Sequence, residues 1–152
     1  MNSDSPQSAS AQQVVLAFLR DELQPVILDL HSVAQSASSF RIGFWASFTL
    51  RGFRDIENAY IDAMTRFMSA YKKWYFPDEL FSGAGPSYNA KVLADYMMMK
   101  PALQEHIHEG FRLLEYIDRV LSGQKSVAYN RVAMSLSVAA ITVSLIVAFF
   151  QI

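Results

Sequence analysis

Segment 105–109, Glu-His-Ile-His-Glu, is the only cluster of metal-competent side chains in the chain. Glu105 and His108 are three residues apart, so a helix places both on one face. Di-iron carboxylate bundles use two such Glu-x-x-His pairs and two further glutamates. This chain has one pair, and a homodimer with Glu22 and Glu57 as outer ligands would have to complete the set. The pattern favours a solvated polar face. A metal site in a membrane-associated, metal-dependent enzyme is the alternative.

Catalytic chemistry has little support elsewhere in the sequence. The chain contains no cysteine, which excludes disulfides, thiolate catalysis and cysteine-based metal sites. His31 lies in no recognisable Ser or Cys nucleophile motif and is interpreted as a core or capping residue. The glycine-rich segment 81–87 lacks the Lys-Ser/Thr of a phosphate-binding loop and is interpreted as a turn. We therefore expect a non-enzymatic protein with no catalytic residue and no cofactor.

Segment 40–53 mixes aromatic and basic side chains. Tryptophan and arginine together suit a membrane–water interface, where the ring lies at headgroup level and the guanidinium reaches phosphate. The charge-free run 42–50 is too short to cross a bilayer as a helix. The sequence favours a core helix flanked by arginines. The alternative is an interface with a membrane or a partner, formed by Arg41, Trp45, Phe48 and Arg51.

Helical periodicity of apolar residues dominates the chain, and no segment alternates as a strand would. This pattern predicts an all-α fold, a bundle of about four helices followed by a single C-terminal transmembrane helix. Pro25 predicts a kink or restart near Gln24. Pro101 is placed in the first turn of a new helix. Ser122-Gly123 is expected to end the last soluble helix.

These breaks define the expected domain organisation. Residues 1–11 form a disordered tail, because serine and other polar residues dominate and no signal-peptide pattern is present. Residues 12–123 form the helical soluble domain, with a loop at 77–89. Residues 124–131 form a juxtamembrane linker, and residues 132–152 form the membrane anchor.

The anchor, residues 132–152, carries no charged side chain. As a helix it would be about 31 Å long, which matches the hydrocarbon core of a bilayer. Arg119, Lys125 and Arg131 precede it and no basic residue follows. Because basic residues remain on the cytoplasmic side, we expect a tail-anchored, single-pass protein with its N-terminal domain in the cytoplasm. The sequence does not indicate which membrane.

Small residues recur at helical spacing along the anchor and fall on one face. Such a face lets membrane helices approach closely, and its hydroxyl groups can bond across the contact. The alternative is that these hydroxyl groups bond to their own helix backbone. The residues predicted to pack against a second helix are Ala133, Ser137, Ala140, Ser144 and Ala148.

The sequence therefore predicts a membrane-anchored helical adaptor or subunit of a membrane protein complex, acting through protein–protein contacts. Its partners would be the membrane and either a protein or further copies of the chain. The alternative is an oligomeric pore-forming or membrane-perturbing effector. The net charge of −1 and the lack of a basic cluster argue against nucleic acid as a partner.

Overall fold

The computed structural model describes residues 11–50, 52–76, 81 and 90–150. These residues form helices and short connections with no strand, which confirms the all-α fold. The predicted tail, apart from Ala11, lies outside the described residues, as do Arg51 and, apart from Phe81, the predicted loop 77–89. The elements are α1 (Ala11–Phe18), a π-helical turn (Leu19–Leu23), α2 (Gln24–Ser39), α3 (Ala46–Thr49), α4 (Phe53–Tyr75) and α5 (Ala90–Phe150).

The interruption predicted near Gln24 takes the form of a π-helical turn at Leu19–Leu23. α2 begins at Gln24, with Pro25 in its first turn. The N–H of Gln24 donates to the carbonyl of Leu19, a five-residue step that belongs to the π-helical turn. A proline ring clashes with the carbonyl four residues earlier in a regular α-helix, and the wider π turn provides room for it. The helical path therefore continues from α1 into α2.

The core lies where α2, α4 and the N-terminal half of α5 pack together. Each helix contributes one apolar stripe, as the periodicity of the sequence predicts. The buried side chains with no more than 1% exposure include Leu23, Leu30, Phe53, Phe67, Tyr96, Ile107 and Ile117.

Pro101 does not begin a new helix. It lies inside α5, which runs without interruption from Ala90 to Phe150. An interior proline costs about 3 kcal/mol in an isolated helix. Here Tyr96 and Leu103 are buried on either side of it, and the Tyr96 hydroxyl donates to the carbonyl of Trp74 at the end of α4. Packing on both sides of Pro101 therefore stabilises one continuous helix.

Ser122-Gly123 does not end a helix either, and residues 124–131 are themselves helical. The buried stripe of α5 passes straight through this point: Leu114, Ile117 and Leu121 precede it, and Ala128 is fully buried after it. An interior glycine costs only about 1 kcal/mol, which is small beside the burial of that stripe. At 61 residues α5 is about 90 Å long.

Candidate membrane-proximal site

Gln124 connects α5 to the C-terminal end of α2. Its Nε2 donates to the carbonyl oxygens of Ala37 and Phe40, both at 2.8 Å. The Ala37 carbonyl lies in the last turn of α2, and Phe40 is the capping residue that follows it. The last turn of a helix leaves its carbonyl groups without intrahelical partners, so a side-chain amide from α5 satisfies them. This pair of bonds fixes the end of α2 against α5.

Two charged side chains extend the same contact toward the apolar half of α5. Lys125 Nζ donates to Glu57 Oε1 on α4 at 2.5 Å, and both side chains are about two-thirds buried. Arg131 Nη1 donates to the carbonyl oxygen of Ile42 at 2.5 Å. The segment predicted as a linker is therefore a docked part of α5, held to α2, α4 and the connection before α3.

Phe44, Trp45 and Phe48 form an aromatic cluster beside this contact. Their ring centroids lie 5.5 to 6.5 Å apart, and Trp45 is 82% exposed. The interpretation of this run as a core helix is wrong for all three rings. α3 is only four residues long. In segment 42–50 the buried side chains are those of Ile42 and Ser47. Three large apolar rings therefore face outward, close to the bond between Arg131 and Ile42.

The chain turns sharply between α3 and α4, just after this cluster. Leu50 and Gly52 both have positive φ angles, 52° and 80°. A Cβ at Gly52 would lie 3.3 Å from the Phe40 ring, so glycine also permits the close packing of that ring. The connection from α2 to α4 is thus a folded unit built around Phe40.

An open cavity, which we call the arginine groove, lies between this connection and α5. Its volume is about 400 Å³. No described lining residue is acidic. The lining residues are Ser38, Phe40, Arg41, Ile42, Arg119, Val120, Gly123, Gln124, Val127 and Arg131.

Beyond Arg131, α5 presents an apolar segment, residues 132–150. Its described side chains are exposed, apart from Val132 and Ser135, which are partly exposed. α5 is long and apolar enough to cross a membrane, and none of its most apolar 18-residue stretch is buried. The predicted packing residues Ala133, Ser137, Ala140, Ser144 and Ala148 are all exposed.

The hydroxyl groups of this segment bond within the helix. Each donates to the backbone carbonyl four residues earlier, as the second interpretation of these residues proposed. The bonds are Ser135 to Arg131, Ser137 to Ala133, Thr142 to Val138 and Ser144 to Ala140, at 2.8 to 2.9 Å. The hydroxyl protons therefore bond within the helix. The four hydroxyl groups make the surface of the segment less polar than free Ser and Thr side chains would.

Glu105 and His108 lie exposed on the polar side of α5, near Glu109. In the described part of the chain no group of three or more His, Asp or Glu side chains is arranged to hold a metal ion. Oε1 of Glu109 instead lies 2.8 Å from Nε2 of His31 on α2. His31 is half-exposed, so its interpretation as a core or capping residue is wrong. It joins α2 to α5 at the surface.

The two glutamates proposed as outer metal ligands are used in ion pairs. Glu22 Oε2 lies 2.6 Å from Lys73 Nζ, and Glu57 pairs with Lys125. These two contacts join different elements of the bundle, so each carboxylate already has a lysine partner. The acidic side chains considered for metal chemistry therefore connect helices.

The sequence interpretation missed Gln124 and Ile42. A usable signal existed for Gln124: it continues the spacing of Leu114, Ile117 and Leu121 by three residues, and Ala128 follows by four. A polar residue in a buried stripe indicates a specific hydrogen-bond partner. Ile42 acts through its backbone carbonyl, for which side-chain patterns give no signal.

Comparison with known proteins gives no relative for this chain. No protein-family model matches it, and neither the curated proteins nor the solved structures give a match.

Proposed function

We propose that this protein is a membrane-anchored helical adaptor or subunit of a membrane protein complex, with the bundle on the cytoplasmic side. One observation carries the proposal. None of the most apolar 18-residue stretch of α5 is buried within the described fold. The turns just before this apolar segment are nevertheless held to the bundle by Gln124, Lys125 and Arg131. An apolar helix of this length is stable in a bilayer, where all of its backbone groups are already bonded.

The aromatic cluster supports a position at the membrane surface. Phe44, Trp45 and Phe48 are exposed near the point where the apolar segment begins. Aromatic rings of this kind concentrate at the headgroup level. We propose that the cluster and Arg41 rest on the membrane beside α5. The bundle would then have two contacts with the bilayer and one preferred tilt.

Exposed apolar side chains at the other end of the bundle support a role in protein–protein contacts. Met97 and Met98 are 53% and 75% exposed, and Tyr75 and Phe76 are 53% and 51% exposed. The Tyr96–Trp74 bond brings these two segments together. Along α5 this end lies about 50 Å from Arg131. Methionine-rich surfaces adapt to protein partners, so we propose that the partner binds here.

Membrane integration is tested by extracting membranes with alkaline carbonate. The full chain should remain in the membrane fraction, and a chain ending at residue 131 should be released. Release of the full chain would overturn the proposal. Protease protection of sealed vesicles tests topology: cleavage of the bundle only from the cytoplasmic side is expected from the basic residues before the apolar segment.

Partner binding is tested by gentle solubilisation followed by native mass measurement. A defined complex should be present for the full chain and lost in Met97→Ser/Met98→Ser. Leu28→Ser, which changes an exposed apolar residue of α2, is the matched control and should keep the complex. Loss in both variants, or in neither, would contradict the proposed surface. Dye leakage from protein-free liposomes on addition of the purified chain would favour a membrane-perturbing effector instead.

A further inference from the structure

We propose that the arginine groove binds the phosphate of an anionic phospholipid headgroup, with Arg41 and Arg131 as the phosphate-binding side chains. This inference rests on the proposed insertion of α5 into a membrane. It adds to that proposal a specific lipid class and a site between α5 and the connection that follows α2.

The charge of the groove is the first argument. Arg119 Nη2 pairs with Glu115 Oε1 at 2.7 Å, so its charge is balanced. Arg41 has no ion-pair partner within the described ranges of the chain, and Arg131 bonds to a neutral carbonyl. Arg41 directly precedes Ile42, the residue that Arg131 contacts, and both arginines line the groove. An anion bound in the groove would balance their charge.

The donor geometry is the second argument. A guanidinium carries five N–H donors in one plane, and the bond from Arg131 to the Ile42 carbonyl uses only part of them. The remaining donors suit the paired oxygens of a phosphate, which arginine binds through two parallel bonds. The bond to Ile42 also limits how far the Arg131 side chain can move, so part of the ordering cost of binding is already met.

The walls of the groove distinguish a lipid from a free phosphate ion. Four lining side chains are apolar: Phe40, Ile42, Val120 and Val127. A free phosphate gains nothing from such walls, whereas the glycerol backbone and first methylene groups of a lipid can pack on them. The volume of about 400 Å³ lies within the range of ordinary small-molecule sites.

The height of the groove relative to the membrane is the last argument. Arg131 is immediately followed by the apolar segment, so its backbone lies at the edge of the hydrocarbon core in the proposed orientation. Side chains of a helix lean toward its N-terminus, which points the guanidinium of Arg131 away from the hydrocarbon and into the headgroup layer. That layer is where a phospholipid carries its phosphate.

The test uses the full chain in an uncharged detergent, titrated separately with short-chain phosphatidylglycerol, short-chain phosphatidylcholine and inorganic phosphate. Affinities are measured by native mass spectrometry and by the shift in unfolding temperature. Phosphatidylglycerol should bind at least about tenfold more tightly than phosphatidylcholine, because only it keeps a net negative charge. Equal affinity for the two lipids would overturn the proposal. Inorganic phosphate binding as tightly as phosphatidylglycerol would overturn the assignment to a lipid.

The matched variants are Arg41→Gln and Arg112→Gln. Both remove one exposed arginine, but Arg112 lies on the polar face near Glu105, away from the groove. Arg41→Gln should weaken phosphatidylglycerol binding by at least about fivefold and reduce the preference for phosphatidylglycerol over phosphatidylcholine, because one charge-assisted contact is lost. Arg112→Gln should change neither. An unchanged phosphatidylglycerol affinity in Arg41→Gln would contradict the site.

Failure of this proposal is distinguishable from failure of the proposed function. The same variants are floated with liposomes in a density gradient. A wild-type chain that does not float contradicts membrane anchoring itself. A chain that floats but shows no preference for phosphatidylglycerol contradicts the lipid site and leaves the anchoring intact.

Discussion

Arg131, the last charged side chain before the apolar segment, donates a hydrogen bond of 2.5 Å to the carbonyl oxygen of Ile42. The two residues are 89 positions apart in sequence. The bond links the helix proposed to enter the membrane to the connection that carries Phe44, Trp45 and Phe48. The connection between α2 and α3 is therefore held against α5 at the point nearest the proposed membrane surface.

Arg131→Gln should loosen this connection. A hydrogen bond from a charged donor contributes about 1.5–3 kcal/mol, and partial exposure of this pair favours the lower value. Amide hydrogen exchange of residues 42–48 should therefore become about tenfold faster, while exchange in α4 stays unchanged. Arg119→Gln is the control, since it removes an equivalent charge whose partner is Glu115. Equal exchange in both variants would contradict the role of Arg131.

Trp45 should report contact with the membrane surface. The chain has two tryptophans, so Trp74→Phe leaves Trp45 as the only indole. In vesicles, Trp45 fluorescence should be quenched more by lipids brominated near the headgroup than by lipids brominated near the chain end. Trp45→Phe keeps Trp74, which lies near Tyr96 at the far end of the bundle and should show no quenching. Unquenched Trp45 would place the cluster away from the membrane.

Gly110→Ala should destabilise the bundle. A Cβ at position 110 would lie 2.1 Å from Cε2 of Phe67, whose side chain is fully buried. Overpacking of this kind costs about 1–3 kcal/mol of unfolding free energy. Gly123→Ala is the control: its Cβ meets nothing within 4 Å, and the substitution should stabilise α5 by about 0.5–1 kcal/mol.

Urea unfolding in detergent measures both glycine variants. Phe67→Leu combined with Gly110→Ala should recover part of the loss, because the smaller side chain leaves space for the new methyl group. A Gly110→Ala chain as stable as the wild type would show that α4 and α5 do not approach this closely.

The Lys125–Glu57 pair should contribute more to stability than an exposed pair. Its side chains are 37% and 34% exposed, whereas those of Arg119 and Glu115 are 76% and 72% exposed. A double-mutant cycle with Lys125→Met and Glu57→Gln should give a coupling energy of about 1 kcal/mol, and the cycle for the exposed pair about 0.3 kcal/mol. Equal coupling energies would mean that burial does not strengthen the docked pair.

Tyr60 should make the bundle sensitive to alkaline pH. Its burial on α4, and secondarily the negative charge of Asp118, raise the pKa of Tyr60 above its usual value. The folded state thus holds the phenolic proton more tightly than the unfolded state. The free energy of unfolding should be unaffected by Tyr60 below pH of about 10 and should fall as the pH rises further. In Tyr60→Phe this decline should be smaller, and an identical decline would contradict the effect.

The amino-acid sequence by itself determines the all-α class, the interruption of the regular helix near Pro25 and the apolar segment after Arg131. These features depend on neighbours along the chain: the spacing of apolar residues on a helix, the missing N–H of a proline and a run without charge. Each can be identified without knowing what lies beside the helix.

Only the tertiary structure decided that α5 continues through Pro101 and Gly123, that the aromatic cluster faces outward and that Gly110 lies against Phe67. A local helix-breaking preference costs about 1–3 kcal/mol, and packing against α2 and α4 offsets it. The three bonds of Gln124 and Arg131 join residues more than 80 positions apart, and all of them end on backbone carbonyls, those of Ala37, Phe40 and Ile42. The spacing of α5 can mark Gln124 as a polar residue in a buried stripe, but no pattern of side chains identifies its partners or the Ile42 carbonyl, because these contacts exist only once the helices have packed.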